Sequence, residues 1–124
     1  MLFRVVVIAA VAAFASVPAA AATHSVGASP RDVSAIKAVV LSTLRKHRQP
    51  TPRDWYIAVQ GRYAIAIGDC APGECDDHQL VRSGSTWTPS CYEFGKNGII
   101  GTCALPAATA EKLRREALSF YHGP

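Results

Sequence analysis

Between residues 30 and 48, apolar side chains recur every three or four positions, as on one face of an α-helix. The stripe consists of Val33, Ile36, Val40, Leu44 and His47. The segment 29–32 (SPRD) is a typical helix start, because serine caps exposed amides and proline tolerates the first helical position. The segment 49–52 (QPTP) ends the helix, since a residue that precedes proline avoids helical geometry.

The middle of the chain changes to short runs, 55–59 (WYIAV) and 63–67 (YAIAI), that are rich in β-branched and aromatic residues. The intervening 60–62 (QGR) predicts a tight hairpin turn, and one bent strand with a glycine bulge is the alternative. Segments 79–82 and 86–88 predict a second hairpin around 83–85 (SGS). Because Pro89 cannot donate to a ladder, the last strand is an edge or ends there. Residues 98–100 (GII) read as a loop or a weak strand.

A second helix is predicted from Ala107 to Phe120, with Ala110, Leu113 and Ala117 on the same inner stripe as Phe120. The element order therefore predicts an α+β domain. It consists of an N-terminal helix, an antiparallel β-meander of three to four strands and a C-terminal helix packed on one sheet face. We expect both helices to cover the same face of that sheet.

The first 22 residues predict a signal peptide. Arg4 precedes an apolar run from Val5 to Val17, Pro18 interrupts it, and small residues lead to a cleavage site after Ala22. A retained membrane anchor is the alternative. Residues 23–29 are small and polar and predict a flexible N-terminus, which leaves 30–121 as a single disulfide-stapled domain. The alanine-rich style suggests a bacterial protein that is exported to the periplasm or outside the cell.

The length and the net charge of the chain exclude several classes of protein. A chain of 124 residues with a net charge of +4 is too short for two sizeable domains and too weakly basic to indicate nucleic acid. We expect no nucleic-acid partner and no stable membrane span after cleavage.

The four cysteines indicate two disulfides, because an even count is typical of small exported domains. The favoured pairing joins Cys70 to Cys75 and Cys91 to Cys103. Pairing of Cys75 with Cys91 and of Cys70 with Cys103 is the rival. A zinc site that includes His78 is a further alternative, although the cysteine spacings differ from structural zinc motifs.

The segment 69–78 (DCAPGECDDH) concentrates carboxylates, which hard cations such as calcium prefer. Its candidate ligands are Asp69, Glu74, Asp76, Asp77 and His78. The spacing differs from an EF-hand loop, so a solvated hairpin tip is the favoured interpretation, and we expect no cofactor.

No catalytic residue is assigned. A small exported ribonuclease-like hydrolase would need a general base, a general acid and a phosphate-binding cation. His47, His78 and His122 could transfer protons and Arg62 or Arg82 could bind phosphate, but their spacing does not bring them together. Trp55 and Trp87 could stack on a ligand, although strand tryptophans are more often core residues.

Two basic groups could form one surface if the helices lie side by side, and this surface could meet an anionic envelope polymer or phospholipid. These residues are Arg45, Lys46, Arg48, Lys112, Arg114 and Arg115. Ordinary solvated helix faces are the favoured interpretation.

Three patterns carry a resemblance to known proteins: 63–68 (YAIAIG), LVR-x4-W from Leu80 to Trp87, and LP-x3-A-x2-L from Leu105 to Leu113. Together they resemble small exported bacterial α+β proteins of unassigned function. The helix-before-meander order is also similar to the cystatin-like and nuclear-transport-factor-like architectures. The resemblance implies a fold and no catalytic residue.

These features predict an exported small non-enzymatic module with a binding or envelope-associated role. Its partner would be a protein or an anionic envelope polymer. The alternative is a small secreted hydrolase with ribonuclease-like acid–base chemistry.

Overall fold

The described residues of a computed structural model, 22–70, 73–93 and 98–121, form an α+β fold with a six-stranded sheet and two helices. The side chains of 70 and 73–75 lie outside this description, as does the predicted signal peptide up to residue 21. In chain order the elements are β1 (Thr23–Val26), α1 (Pro30–Lys46), β2 (Asp54–Gln60), β3 (Tyr63–Cys70), β4 (Gly73–Ser83), β5 (Thr86–Glu93), β6 (Ile99–Gly101) and α2 (Ala107–Leu118).

The strands lie in sequence order across an open mixed sheet, with β1 parallel to β2 and all other neighbours antiparallel. The α+β class is confirmed, but three to four strands were too few. The segment 23–29, for which we predicted a flexible conformation, contains β1. Its backbone pairs with β2 from Thr23 opposite Trp55 to Val26 opposite Ala58. Four residues of mixed polarity give too weak a pattern to reveal such a strand.

The two helices pack on opposite faces of the sheet. On one face Ile36, Val40 and Leu44 of α1 belong to a core cluster with Ile57 and Trp87. On the other face, α2 contributes two residues to a second core cluster. That cluster comprises Tyr56, Ala58, Ile65, Ile67, Leu105, Leu113 and Ala117. The expectation that both helices cover one face is therefore wrong.

The physical reason lies in β2 and β3, whose central residues are buried at consecutive positions. Successive side chains of a strand point to opposite faces. A run such as WYIAV can therefore be buried along its whole length only when both faces are covered.

Both predicted hairpins are confirmed. The β2–β3 turn opens on Gly61 (φ 58°) and the β4–β5 turn on Gly84 (φ 62°). Glycine occupies such left-handed positions without a Cβ penalty, and the first turn position is the one where type II′ hairpins favour it.

The predicted acidic loop is largely strand. β3 continues to Cys70, β4 begins at Gly73, and β5 runs past Pro89 to Glu93. Register shifts at Gly68/Asp69 and at Gln79/Leu80 accompany this extension. Bulges allow a strand to continue with its side chains redirected, a feature that sequence patterns do not mark.

The disulfide Cys91–Cys103 joins β5 to the segment that leads into α2. This half of the favoured pairing is confirmed, and it excludes the rival bridge from Cys75 to Cys91. The other predicted pair, Cys70 and Cys75, falls among the side chains outside the described residues.

The two-faced core predicts two separate stability effects. We expect Ile36→Ala and Leu113→Ala each to lower the free energy of unfolding by about 2–5 kcal/mol, because each removes a buried side chain from a different core. Urea unfolding followed by circular dichroism measures both. Ser34→Ala, at an exposed position of α1, is the control and should change stability by less than about 0.5 kcal/mol. A negligible effect of Leu113→Ala would contradict the packing of α2 on the second face.

Candidate functional site

The predicted metal-ligand residues are divided between the two faces of the sheet. Asp76 and His78 are buried, whereas Asp77 is partly exposed and forms an ion pair with Arg114 of α2. Asp69 pairs across the sheet with Asp54. Among the described side chains, no group of three or more His, Cys, Asp or Glu residues is arranged to hold a metal ion. Strand alternation explains the division, because neighbouring residues of β4 point in opposite directions.

The Asp76 carboxylate and the His78 ring are in close contact inside the α1-side half of the protein. Both side chains are at most 2% exposed. Gly68 of the neighbouring strand makes room for the carboxylate: a Cβ there would lie 2.9 Å from Asp76 Oδ1 and 2.5 Å from Pro52 Cγ. A buried charge of this kind is stable only when it has a partner, so the pair acts as a unit.

Tyr92 connects this pair to the end of α1. Its ring stacks on His78 with centroids 5.6 Å apart, and its hydroxyl lies 2.7 Å from His47 Nε2. His47 is the C-cap residue of α1. The structure thus brings together the two histidines, His47 and His78, that the sequence named as proton-transfer candidates. His122, the third, lies outside the described residues.

The six basic residues do not form the single helical surface that we had considered. Arg45, Lys46 and Arg48 lie at the end of α1, and the other three lie on α2, on the opposite face of the sheet. Each α2 residue of this group also has an acidic neighbour: Lys112 faces Glu116, Arg114 faces Asp77 and Arg115 faces Glu111.

A groove separates α1 from β5 on the α1-side face. It has a volume of about 330 Å³ and is lined by Ala38, Val39, Ser42, Thr43, Trp87 and Pro89. A second cavity, also of about 330 Å³, lies beside the start of the same helix. It is lined by Ser29, Arg31, Asp32, Ala35, Arg82, Gly84 and Ser85. Both cavities border the flank of α1 that faces the β4–β5 hairpin. We call the first of them the α1–β5 groove.

The outer edge of β5 beside this groove has no strand partner among the described residues. β6 pairs with β5 only from Cys91 to Glu93, which leaves residues 86–89 at the edge. The Arg82 amide donates to the Arg62 carbonyl in the β2–β3 turn, so Arg82 and Trp87 form a pair without mutual hydrogen bonds. The backbone amide and carbonyl of Trp87 therefore point away from β4. Two residues on, Pro89 presents a carbonyl and no amide.

Asp32 fixes the wall of the groove. Its carboxylate Oδ1 accepts hydrogen bonds from the Trp87 indole at 3.2 Å and from Arg82 at 3.1 Å. Its amide donates to the N-cap hydroxyl of Ser29 at 3.0 Å. The Arg82 guanidinium also lies over the Trp87 ring and donates to the Gly61 carbonyl at 2.7 Å. These bonds hold the start of α1 against both hairpins.

The same contacts set the ionisation of Asp32. Burial by itself raises the pKa of this carboxyl. The hydrogen bonds from Trp87 and Ser29 and the charge of Arg82 outweigh burial, so the pKa lies below its ordinary value of 3.8.

A second aromatic cluster closes the α2-side face near β1. The His24 ring lies between Tyr56 and Phe120, with centroids 5.5 and 5.3 Å away, and Tyr121 meets Tyr56 edge-on. Burial raises the pKa of the Tyr56 hydroxyl, and the nearby carboxylates of Asp69 and Asp54 raise it further. This cluster holds β1 and the end of α2 on the sheet.

Sequence reasoning missed the groove. Its lining is small or neutral on α1, and Trp87 is the core residue that we favoured it to be. Pro89 was the available signal, since it indicated a strand edge. The apolar pattern of α1 did not show that one flank of this helix lies beside that strand edge.

No protein-family model, curated protein or solved structure matches this chain. The resemblance to small exported α+β proteins and to the cystatin-like and nuclear-transport-factor-like architectures therefore stays a prediction. Neither helix in the described part of the chain has the length and apolar character needed to cross a membrane.

The low pKa of Asp32 predicts an acid-sensitive fold. Its ionised form contributes stability in full above the unfolded-state pKa near 3.8, and this contribution is lost as the pH falls through the lower folded-state value. We expect Asp32→Asn to lower the free energy of unfolding at pH 7 by about 1–2 kcal/mol. The variant should also show a shallower loss of stability between pH 4 and about pH 2.

Urea unfolding at a series of pH values measures both effects. Glu111→Gln is the control, because the Glu111 side chain is 78% exposed and its Arg115 partner is 3.8 Å away. An acid dependence of Asp32→Asn equal to that of the wild type would contradict this role.

Proposed function

We propose that this protein is an exported, non-enzymatic binding module that takes up an extended polypeptide segment along the outer edge of β5. The observation that carries this proposal is the edge at residues 86–89 beside the α1–β5 groove, which has no strand partner among residues 22–70, 73–93 and 98–121. A bound segment would add a strand to the sheet and place alternate side chains in the groove.

The chemistry of the edge supports strand addition. Trp87 offers one amide and one carbonyl to an incoming backbone, and Pro89 offers a second carbonyl. Pro89 has no amide, so this edge offers one donor fewer to any strand that pairs with it. The groove lining is mainly apolar, with the hydroxyls of Ser42 and Thr43 at its side. Such walls suit small apolar side chains at alternate positions of the ligand.

Export is part of the proposal. The predicted signal peptide supports it, and the disulfide Cys91–Cys103 is compatible with an oxidising compartment. An exported module would meet extended segments of secreted or envelope proteins.

A substitution that fills the groove should prevent binding. We expect Ser42→Trp to weaken the affinity for a fluorescein-labelled heptapeptide, Gln-Thr-Val-Thr-Leu-Thr-Gln, at least tenfold, measured by fluorescence anisotropy. Ser34→Trp is the matched control, because Ser34 is exposed on the other flank of α1 and should leave the affinity within twofold. Circular dichroism verifies that both variants fold.

Single N-methyl groups on the peptide test strand addition itself. Two peptides are compared, and each carries one N-methyl group at one of two consecutive central residues. The methyl group should weaken binding strongly in one peptide and little in the other. Alternate amides of an added strand face the sheet edge, so only one of the two is required. Equal effects of both N-methyl groups, or no binding of the unmodified peptide, would overturn the proposal.

The cluster around Tyr92 favours one second candidate, the small hydrolase. Tyr92 and His47 are both half-buried and in hydrogen-bond contact, as an acid–base pair requires. His78 is 1% exposed, so it could only position the others. The groove lining contains none of these three side chains.

We therefore expect the wild-type protein to show no turnover of RNA or of unstructured peptide. Hydrolysis that falls at least 100-fold in Tyr92→Phe, with the fold retained, would favour the hydrolase instead. The rate of fluorescence increase from quenched RNA and peptide substrates measures the turnover. Tyr63→Phe on β3 is the matched tyrosine control.

A further inference from the structure

The contacts of Ala22, immediately before β1, point to the bond at which the predicted signal peptide is removed. We infer that cleavage occurs at the Ala21–Ala22 peptide bond and that the new α-ammonium group of Ala22 binds the Asp54 carboxylate. The cut therefore lies one residue before the position that the sequence predicted. This inference rests on the export that is part of the proposed function.

The alanines before β1 are compatible with either cut. A signal peptidase requires small residues at the last position before the cut and two positions earlier. Cleavage before Ala22 places Ala19 and Ala21 at these positions, and cleavage before Thr23 places Ala20 and Ala22 there. Because all four residues are alanine, the choice between the two bonds depends on the contacts of the folded product.

The backbone of Ala22 already takes part in the pairing with β2. Its nitrogen lies 3.0 Å from Asp54 Oδ1, and its carbonyl accepts a hydrogen bond from the Trp55 amide at 2.9 Å. Trp55 is 4% exposed, so a cut after Ala22 would remove the acceptor of a buried amide. Cleavage before Ala22 retains both hydrogen bonds.

The register of β1 fixes the Ala22 nitrogen at this carboxylate. At the other end of the strand, Gly27 lies so close to β2 that a Cβ there would be 2.4 Å from the Val59 carbonyl oxygen. The Thr23 hydroxyl contacts the Lys37 ammonium of α1, which holds the beginning of the strand on the α1-side face. These contacts keep β1 from sliding along β2.

The charges around Asp54 favour an ammonium group at this place. Asp54 lies opposite Asp69 in the pairing of β2 with β3, so two carboxylates belong to this corner of the sheet. Arg53 contacts Asp54 Oδ2 at 3.6 Å through a side chain that is 59% exposed, whereas Oδ1 faces the Ala22 nitrogen. A charged donor binds a carboxylate more strongly than a neutral amide does.

The cleavage reaction creates this charged donor. Hydrolysis of the Ala21–Ala22 bond by a signal peptidase consumes one water and yields a carboxylate on Ala21 and an amine on Ala22 that is protonated at neutral pH. In the precursor the same nitrogen is an uncharged amide. Removal of the signal peptide therefore strengthens the attachment of β1 to β2.

Two single substitutions in the full chain distinguish the two bonds. The chain is exported from a bacterial host, and intact mass and N-terminal sequencing identify its first residue. We expect the wild type to begin at Ala22. Ala21→Leu should abolish this product, because leucine is not small, whereas Ala22→Leu is the matched control and should still be cut before residue 22.

The outcomes separate this inference from the proposed function. A start at Thr23, with processing lost in Ala22→Leu and retained in Ala21→Leu, would overturn the inference and leave the exported binding module standing. A wild-type chain that stays uncut would overturn both the inference and the proposed export. Peptide binding at the edge of β5 is measured independently of all these results.

Chemical labelling of the α-amine tests its partner. Because its ordinary pKa is lower than that of lysine, an amine-reactive ester at pH 7 modifies a free α-amine preferentially. An ion pair keeps the amine protonated, so we expect Asp54→Asn to raise the labelling rate at Ala22 about threefold, measured by peptide mass spectrometry.

Glu111→Gln removes an exposed carboxylate from α2 and is the matched control, which should label at the wild-type rate. Asparagine keeps an oxygen that accepts from the Ala22 nitrogen, and circular dichroism verifies that Asp54→Asn folds. Equal labelling rates in the wild type and in Asp54→Asn would overturn the inference.

Discussion

The position of α1 depends on one carboxylate. Asp32 accepts hydrogen bonds from Trp87 and Arg82 at the base of the β4–β5 hairpin, and its backbone amide completes the cap of α1. Without these bonds the N-terminal end of the helix would rely mainly on its apolar stripe, which allows sliding along the sheet. Because hydrogen bonds are directional and apolar contacts are not, Asp32 fixes the distance between α1 and β5. The width of the groove follows from that distance.

The second anchor lies at the other end of the helix. Tyr92 of β5 contacts His47 at the C-cap of α1, and His78 stacks beneath the tyrosine with Asp76 as its partner. Histidine, tyrosine and aspartate in this order read easily as catalytic residues. Asp76 and His78 are buried, and the contact between Tyr92 and His47 holds the end of α1 on the sheet. The two anchors leave the middle of α1, from Ala35 to Thr43, beside a strand edge that has no partner in the described part of the chain.

Much of this fold could be predicted from local patterns. The SPRD start, the apolar stripe of α1 and the glycines of both turns each act within a few residues, and the structure confirms them. The partner of each helix could not be predicted in the same way, because it depends on contacts distant in sequence. The signal was nevertheless present in WYIAV and YAIAI, which are apolar on both faces of a strand.

The candidate site was less accessible to sequence reasoning. The charged segment around Asp76 attracted attention as a metal loop, yet strand pairing divides its side chains between two faces. The groove consists of alanine, valine, serine and threonine on α1, residues that carry no chemical signature. Pro89, which indicated a strand edge, was the one sequence feature near the groove that gave a signal. Binding surfaces of this type arise from what the sheet leaves unpaired, which becomes visible only in three dimensions.

The central hairpin of β2 and β3 contributes to both core clusters, since Ile57 and Ala66 face one helix and Ala58 and Ile65 face the other. Loss of either helix would therefore expose one side of the same two strands to water. This arrangement couples the two core clusters. Partial opening at the edges of the sheet leaves the β2–β3 hairpin intact, and complete exposure of the hairpin requires global unfolding. The backbone amides of this hairpin should accordingly be the slowest in the molecule to exchange with solvent deuterium.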